Sequence, residues 1–393
     1  MALLLTGAAP VISSPVEIPG GNLLPADARR GANSTAPVSG EIPVALLVDI
    51  TTGQVLFSRE PDRRFVPASV TKVMTAYTAF ELIAAGELRL DMPYLYSQQL
   101  EDEWYNEGSN MFLLAGERPT IAQLLLGITT ISGNDASVAM ALATKGSLEE
   151  WLALMNANAE KLGMRDTHFG SPNGFPDGGQ TYTTANDLVL LGRAVTLDHP
   201  VLYRQFFGHR TFKWRELTQA NHDPVTGRVD GADGLKTGYT NEAGFTFLGS
   251  AERDGRRLMM VLAGAPDGRI RDTAARDLLE WGFEGFDRTT LYRAQTLVGT
   301  AQVQDGTARE VGLRLPQDFT VALPEGSSTG EWTTQIVYRG PIVAPIVQGD
   351  RVATLRLSID GETAFEAPLE ATSTVVEANP LQRIANAFAR WIG

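Results

Sequence analysis

The sequence predicts an α/β (α+β) chain in which an antiparallel sheet is flanked by helices and followed by a small all-β domain. Three observations carry that expectation. A strand hairpin opens the ordered part at Val44–Phe57, apolar residues with helical spacing fill the middle, and strands return between Leu235 and Gly264. Beyond about Thr290 short alternating runs separated by turn residues take over, as an all-β unit requires.

Residues 1–40 are rich in Pro, Gly, Ser and Ala without periodicity and read as a linker. Ala2-Leu3-Leu4-Leu5 resembles the rear of an export signal, although no Lys or Arg precedes Arg29 to form its basic end. Val44–Asp49 is a buried-strand pattern, Thr52-Gly53 a turn, and Val55–Phe57 the return strand. From Ser69 to about Ala85, Val70, Val73, Met74, Tyr77 and Phe80 recur at helical intervals. Further helices fit Ile121–Leu126, Asp135–Ala143, Leu148–Leu162 and Asn186–Ala194. Gly244–Leu248 and Leu258–Leu262 are strands joined through Asp254-Gly255, and Arg271–Trp281 closes the unit as a helix. These elements place one domain at residues 41–289.

A second domain, residues 290–376, has the strand spacing of a sandwich, with turns at Gln304-Asp305-Gly306, Pro324-Glu325-Gly326, Gln348-Gly349-Asp350 and Asp360-Gly361. Residues 377–393 form a separate element. Asn379 can cap a helix with Pro380 in its first turn. Leu381, Ile384, Ala385, Phe388, Trp391 and Ile392 then share one face, opposite Arg383 and Arg390. That pattern suits a helix lying in a membrane interface; packing on the β domain or on another subunit is the alternative.

Composition excludes several classes. The chain has 393 residues and a net charge of −13, an acidic balance that disfavours nucleic acid as a partner. With no cysteine there is no disulfide, thiolate nucleophile or Cys-ligated zinc. The four histidines, His168, His199, His209 and His222, show no HExxH or HxxEH spacing, so no metal is expected.

Three short motifs carry chemistry: Ser69-Val70-Thr71-Lys72, Ser132-Gly133-Asn134 and Lys236-Thr237-Gly238. Ser69 and Lys72, three apart at a helix start, share one face. A serine hydroxyl needs a base, and a lysine serves if burial and nearby cations lower its pKa. Gly133 would permit a tight turn, Ser132 could pass a proton between Lys72, Lys236 and a leaving amine, and Asn134 could orient a substrate amide. Lys236 adds positive potential, Thr237 can bind a carboxylate, and Gly238 lets backbone approach closely. Backbone N–H groups of Ser69 and Tyr239 would form an oxyanion hole beside a strand edge able to pair with an extended peptide. Singly, each motif is more often a surface lysine, a helix cap or a turn. Their ordered combination, separated by 63 and 104 residues, is far more specific.

On these residues the chain resembles the serine penicillin-recognising enzymes, and within them the type-five D-alanyl-D-alanine carboxypeptidases. The likeness runs from about Pro43 to Trp281 and into the β domain. It includes Pro67-Ala68-Ser69 through Met74, Leu125–Ala136, Met155-Asn156, Leu162-Gly163-Met164, Thr167-His168-Phe169, Asn173-Gly174 and Asp233–Thr240. The resemblance implies a β-lactamase/transpeptidase-like catalytic domain, working without cofactor. It also implies a periplasmic enzyme attached to the outer face of the inner membrane. That enzyme would remove the terminal D-alanine of the peptidoglycan stem pentapeptide and be acylated by β-lactam antibiotics. One departure is Thr181, which stands before Tyr182-Thr183-Thr184-Ala185 where the family usually has histidine; altered loop contacts, not lost chemistry, are expected. A class A β-lactamase would need a Glu-x-x-Leu-Asn loop, whereas Ser147–Leu152 leads as a helix into Met155-Asn156 and the second motif is Ser-Gly-Asn. Gly326-Ser327-Ser328-Thr329-Gly330 fits a triad elbow in letters only, since no strand-to-helix turn surrounds it. A catalytically silent cell-wall scaffold would not need Ser69, Lys72, Ser132, Asn134 and Lys236 together.

Overall fold

The computed structural model describes residues 11–12, 36–324, 332–359, 362–379 and 382. They fall into two compact units, one within Ser34–Glu284 and one within Gly285–Gly393 together with the strand Val11–Ile12.

In the first unit the hairpin is β1 (Val44–Asp49) and β2 (Gln54–Arg59). After a 3-10 turn at Ala68–Thr71 come α1 (Lys72–Ala84), α2 (Gln98–Trp104), α3 (Ile121–Ile131), α4 (Asn134–Lys145), α5 (Leu148–Leu162), α6 (Ala185–Leu197) and α7 (Pro200–Phe206). A small ribbon, β3 (Thr211–Trp214) and β4 (Leu217–Ala220), precedes the long strands β5 (Ala232–Thr240), β6 (Gly244–Arg253) and β7 (Arg256–Ala265), and α8 (Gly268–Glu284) closes the unit. The five-stranded sheet has the order β2-β1-β7-β6-β5 and every pairing in it is antiparallel.

Each face of this sheet buries its own core. Val44, Leu46 and Val48 of β1 alternate with Ala45 and Leu47, so the first set packs with the helices α1 to α7 and the second with α8. That two-sided burial explains why β1 reads as a continuous apolar run. A buried ion pair from Arg256 Nε to Asp49 Oδ2, 2.8 Å long, fixes β7 against β1. β5, one of the sheet's two edge strands, carries Lys236-Thr237-Gly238.

Several expectations are adjusted. The helix expected from Ser69 begins at Lys72, with Ser69 in the preceding 3-10 turn. Helix α3 runs past the expected end at Leu126 to Ile131, while α2, α7 and the β3–β4 ribbon carried no strong periodicity.

The second unit is all-β. A seven-stranded sheet and the ribbon of Phe286–Tyr292 with Phe319–Pro324 share one core, in which Phe319 and Val321 meet Val303, Leu313, Ile336 and Leu355. Val11–Ile12, in the stretch read as linker, pairs with Val337 and Tyr338 at one edge of that sheet. The turns at Pro324–Gly326 and Asp360-Gly361, the Gly326–Gly330 motif and nearly all of the terminal amphipathic stretch lie outside the described residues. At its start, Asn379 and Gln382 exchange reciprocal side-chain to backbone hydrogen bonds of 2.9 and 3.0 Å, the geometry of a helix cap.

Candidate active site

The three motifs converge. Ser69, Ser132, Asn134, Thr237, Gly238 and Tyr239 all line one cleft of about 600 Å³, also bordered by Ser109, Gly174, Phe175, His222 and Arg271.

Ser69 is presented by a constrained turn. Ala68 before it holds φ at +49°, a conformation that L residues rarely adopt and that surrounding structure must impose. Two close approaches impose it. A methyl group on Gly238 would stand 2.5 Å from the Pro67 carbonyl and 3.2 Å from the Ser69 nitrogen, so β5 presses on the turn from one side. Gly174, at φ +72°, lies so near that a Cβ there would meet the Ala68 oxygen at 1.8 Å. The expectation that Gly238 permits close backbone approach is met, and Gly174 does the same from the opposite wall.

Lys72 is fully buried. Its Nζ lies 2.9 Å from Ser69 Oγ, 2.7 Å from Asn134 Oδ1 and 2.7 Å from the Asn173 carbonyl. Burial, reinforced by the Lys236 charge, lowers its pKa well below that of an ordinary lysine, against a weaker opposing pull from Asp135. The nitrogen has three oxygen neighbours, and the Asn134 and Asn173 oxygens can only accept, so Ser69 Oγ is the one neighbour able to give it a proton. That is the arrangement of a general base.

The second motif differs from its sequence reading in one detail. The tight turn between α3 and α4 is made by Ser132, at φ +65°, and not by Gly133, which stands at the start of α4 with φ −55°. The Ser132 hydroxyl lines the cleft without a hydrogen bond to another described residue. The Asn134 amide is already committed: Oδ1 accepts from Lys72 and Nδ2 donates to the Glu107 carbonyl. Behind it the Asp135 carboxylate accepts backbone N–H bonds from Met111 and Leu113 at 2.9 and 3.1 Å, anchoring the loop that brings Ser109 to the cleft.

On β5, Lys236 is buried, donates to the Thr237 carbonyl at 3.0 Å, and has its pKa lowered to about 7 by burial and by the Arg271 charge. Arg271, reaching the cleft from α8, is itself buried and held by the Thr246 carbonyl and Asp272. The Tyr239 ring is half exposed, lies tilted against Phe245 with ring centroids 4.3 Å apart, and donates its hydroxyl hydrogen to Asn241. Thr181, the departure noted above, accepts from the Gly170 N–H and donates to Asp177 inside the loop, making none of its contacts with the catalytic groups.

Sequence reasoning assigned no role to Asn173, Arg271 or His222. Asn173 acts through a backbone carbonyl, which leaves no side-chain signature, and Arg271 reads as one of many helix arginines. Among the described residues no cluster of three His, Asp or Glu is placed to hold a metal.

A family profile described as D-alanyl-D-alanine carboxypeptidase matches residues 32–267, and one described as penicillin-binding protein 5, C-terminal domain, matches 286–377. The chain is 31% identical over 350 residues to a D-alanyl-D-alanine carboxypeptidase DacD of Salmonella typhimurium, covering 87% of this chain and 88% of that one. Penicillin-binding protein 5 from Haemophilus influenzae superposes with a TM-score of 0.76 at 26% identity, over 88% of this chain and all 100% of the other. Penicillin-binding protein D2 from Listeria monocytogenes, solved in its ampicillin-bound form, superposes with a TM-score of 0.57 at 27% identity, over 64% of this chain and 100% of its own. The catalytic unit with its converging Ser69, Lys72 and Lys236, followed by this β domain, belongs to the D-alanyl-D-alanine carboxypeptidase family of serine peptidases.

Proposed function

We propose that this chain trims the terminal D-alanine from peptidoglycan stem pentapeptides through an acyl-enzyme on Ser69. The observation that carries the reading is the Lys72 nitrogen, fully buried, 2.9 Å from Ser69 Oγ and held in place by the Asn134 and Asn173 oxygens. The stem pairs with the free edge of β5. Its terminal carboxylate meets Thr237 under the positive potential of Lys236 and Arg271. Lys72 takes the Ser69 proton as Oγ bonds to the penultimate carbonyl carbon, and the oxyanion rests on the Ser69 and Tyr239 N–H groups. The C–N bond breaks as Ser132 relays to the departing D-alanine nitrogen the proton that Lys72 took from Ser69, which returns both Lys72 and Ser132 to their starting states. Water then cleaves the ester, returning the Ser69 hydroxyl and releasing a tetrapeptide carboxylate.

The same nucleophile would open a β-lactam ring and remain acylated, a reading supported by the ampicillin-bound Listeria relative. Incubating the protein with a stem pentapeptide and a fluorescent penicillin tests both. Release of one D-alanine per peptide, and a covalent label absent from Ser69→Ala, are expected; equal labelling of the two proteins refutes the assignment.

Periplasmic placement on the outer face of the inner membrane belongs to the same proposal. It is supported by the amphipathic pattern of Leu381, Ile384, Phe388, Trp391 and Ile392 against Arg383 and Arg390, behind the Asn379 cap. Among the described residues no helix is long and apolar enough to cross a membrane. Removing Pro380–Gly393 should release the protein from anionic vesicles and leave its turnover of soluble peptide intact; continued vesicle binding would remove the anchor.

A further inference from the structure

A second cleft of about 570 Å³ adjoins the first, with Tyr239 and Asn241 forming part of the lining of both. Its walls carry opposite charges: Arg63 on one, and Glu242 on the turn after β5. Both side chains are exposed, and neither makes a hydrogen bond or ion pair with a described residue. Arg64 beside it is differently placed, since it binds Asp166 at 2.8 Å and lies over the Tyr182 ring at 4.7 Å.

The floor is shaped by backbone. Between Phe245 and Phe247 of β6 the pairing with β7 slips, so that Ala263 and Gly264 together face Thr246. A Cβ on Gly264 would meet Pro43 Cγ at 2.7 Å, and one on Gly244 the Ala265 oxygen at 3.0 Å. The bulge and the two glycines let Pro43 and the β6–β7 backbone pack tightly together beneath the cleft.

Strand geometry says which part of a substrate reaches it. This step rests on the carboxypeptidase reading, with the terminal carboxylate at Thr237 and the stem antiparallel to β5. Residues upstream of the scissile bond then run toward Tyr239, Thr240 and Asn241. At roughly 3.4 Å per residue, the third stem residue is about 7 Å beyond the terminal one, level with the start of the second cleft.

We propose that this second cleft is a subsite for the third stem residue, and that it selects a side chain ending in both an ammonium and a carboxylate. Arg63 takes the carboxylate and Glu242 the ammonium. A side chain ending in an ammonium alone satisfies Glu242 and leaves Arg63 without its anion.

The test compares two pentapeptides that differ only in the third side chain, one ending in an ammonium and one in an ammonium plus a carboxylate. Labelling by fluorescent penicillin counts active sites, so rates are expressed per functional enzyme. Wild type should favour the doubly charged peptide by roughly tenfold in kcat/KM, as a charge-assisted hydrogen bond would give. Arg63→Ala should bring that ratio close to one, and Glu242→Gln should slow both peptides by a similar factor. Equal kcat/KM for the two peptides in wild type, or an unchanged ratio in Arg63→Ala, overturns the subsite and leaves the carboxypeptidase standing. Failure of wild type to trim either peptide overturns the carboxypeptidase reading and the subsite with it.

Discussion

At the scale of single residues, the site works by keeping two lysines from being ordinary lysines. Burial and the Lys236 charge lower the pKa of Lys72 well below the ordinary lysine value, and burial with the Arg271 charge lowers that of Lys236 to about 7. Replacing Lys72 with Ala should slow acylation by penicillin about a thousandfold or more, measured by stopped-flow labelling, because the hydroxyl loses its base. Lys236 gives a pH-dependent stability prediction. Its folded pKa lies below its unfolded value of 10.5, so the folded state bears the full cost of a buried cation below about pH 7. That cost fades as pH rises toward 10.5. Lys236→Met should therefore be more stable than wild type by roughly 3 kcal/mol at pH 6, with the gain shrinking in urea titrations carried to pH 10. A gain that grows with pH would reverse the sign of this account. In activity, loss of the Lys236 charge above pH 7 should raise KM for a carboxylate-terminated peptide more than it lowers kcat.

Elements were legible where periodicity was strong and obscure where packing decides. β1 and α5 were visible because an apolar run and a 15-residue amphipathic stretch are hard to misread. Helix α3 outran its expected end because Gly127 is not a stop. A Cβ at that position would fall 2.1 Å from Met111 Sδ, so the glycine is there to admit a neighbour. The β3–β4 ribbon has only four residues per strand and largely exposed side chains, and it left no apolar signal. The turn at Ser132 was assigned to the adjacent glycine because left-handed backbone is normally glycine's, and here a catalytic-motif serine adopts it. Gly174 tests how much the active-site turn depends on its neighbouring loop. Gly174→Ala should cost at least about 2 kcal/mol of stability and slow acylation, since either Ala68 or the Asn173 carbonyl that holds Lys72 must move. A variant with wild-type melting temperature and labelling rate would show that the loop is freely adjustable.

Across the whole molecule, residues distant in the chain meet because one sheet edge, one helix start and one interhelical turn face the same cleft. The motif spacing indicated that meeting, and the structure brings Ser69, Ser132, Asn134, Thr237, Gly238 and Tyr239 to one cleft with Lys72 behind Ser69. The supporting carbonyl of Asn173 and the cation of Arg271 were not legible in the sequence, because they depend on the path of the chain rather than on a pattern of side chains. Every group invoked for acylation lies within Ser34–Glu284. That unit, expressed alone, should label with fluorescent penicillin within about twofold of the full chain's rate, as expected of a domain with its own core. A labelling-dead but folded fragment would assign the β domain a direct catalytic part. The most direct measurement is the intact mass of the protein after brief exposure to benzylpenicillin, followed by peptide mapping. A single adduct of one penicilloyl mass on the peptide containing Ser69, absent from Ser69→Ala and strongly diminished in Lys72→Ala, is the expected result. An adduct on another residue, or none on a folded wild-type chain, would contradict the assignment of Ser69 and Lys72 as nucleophile and base.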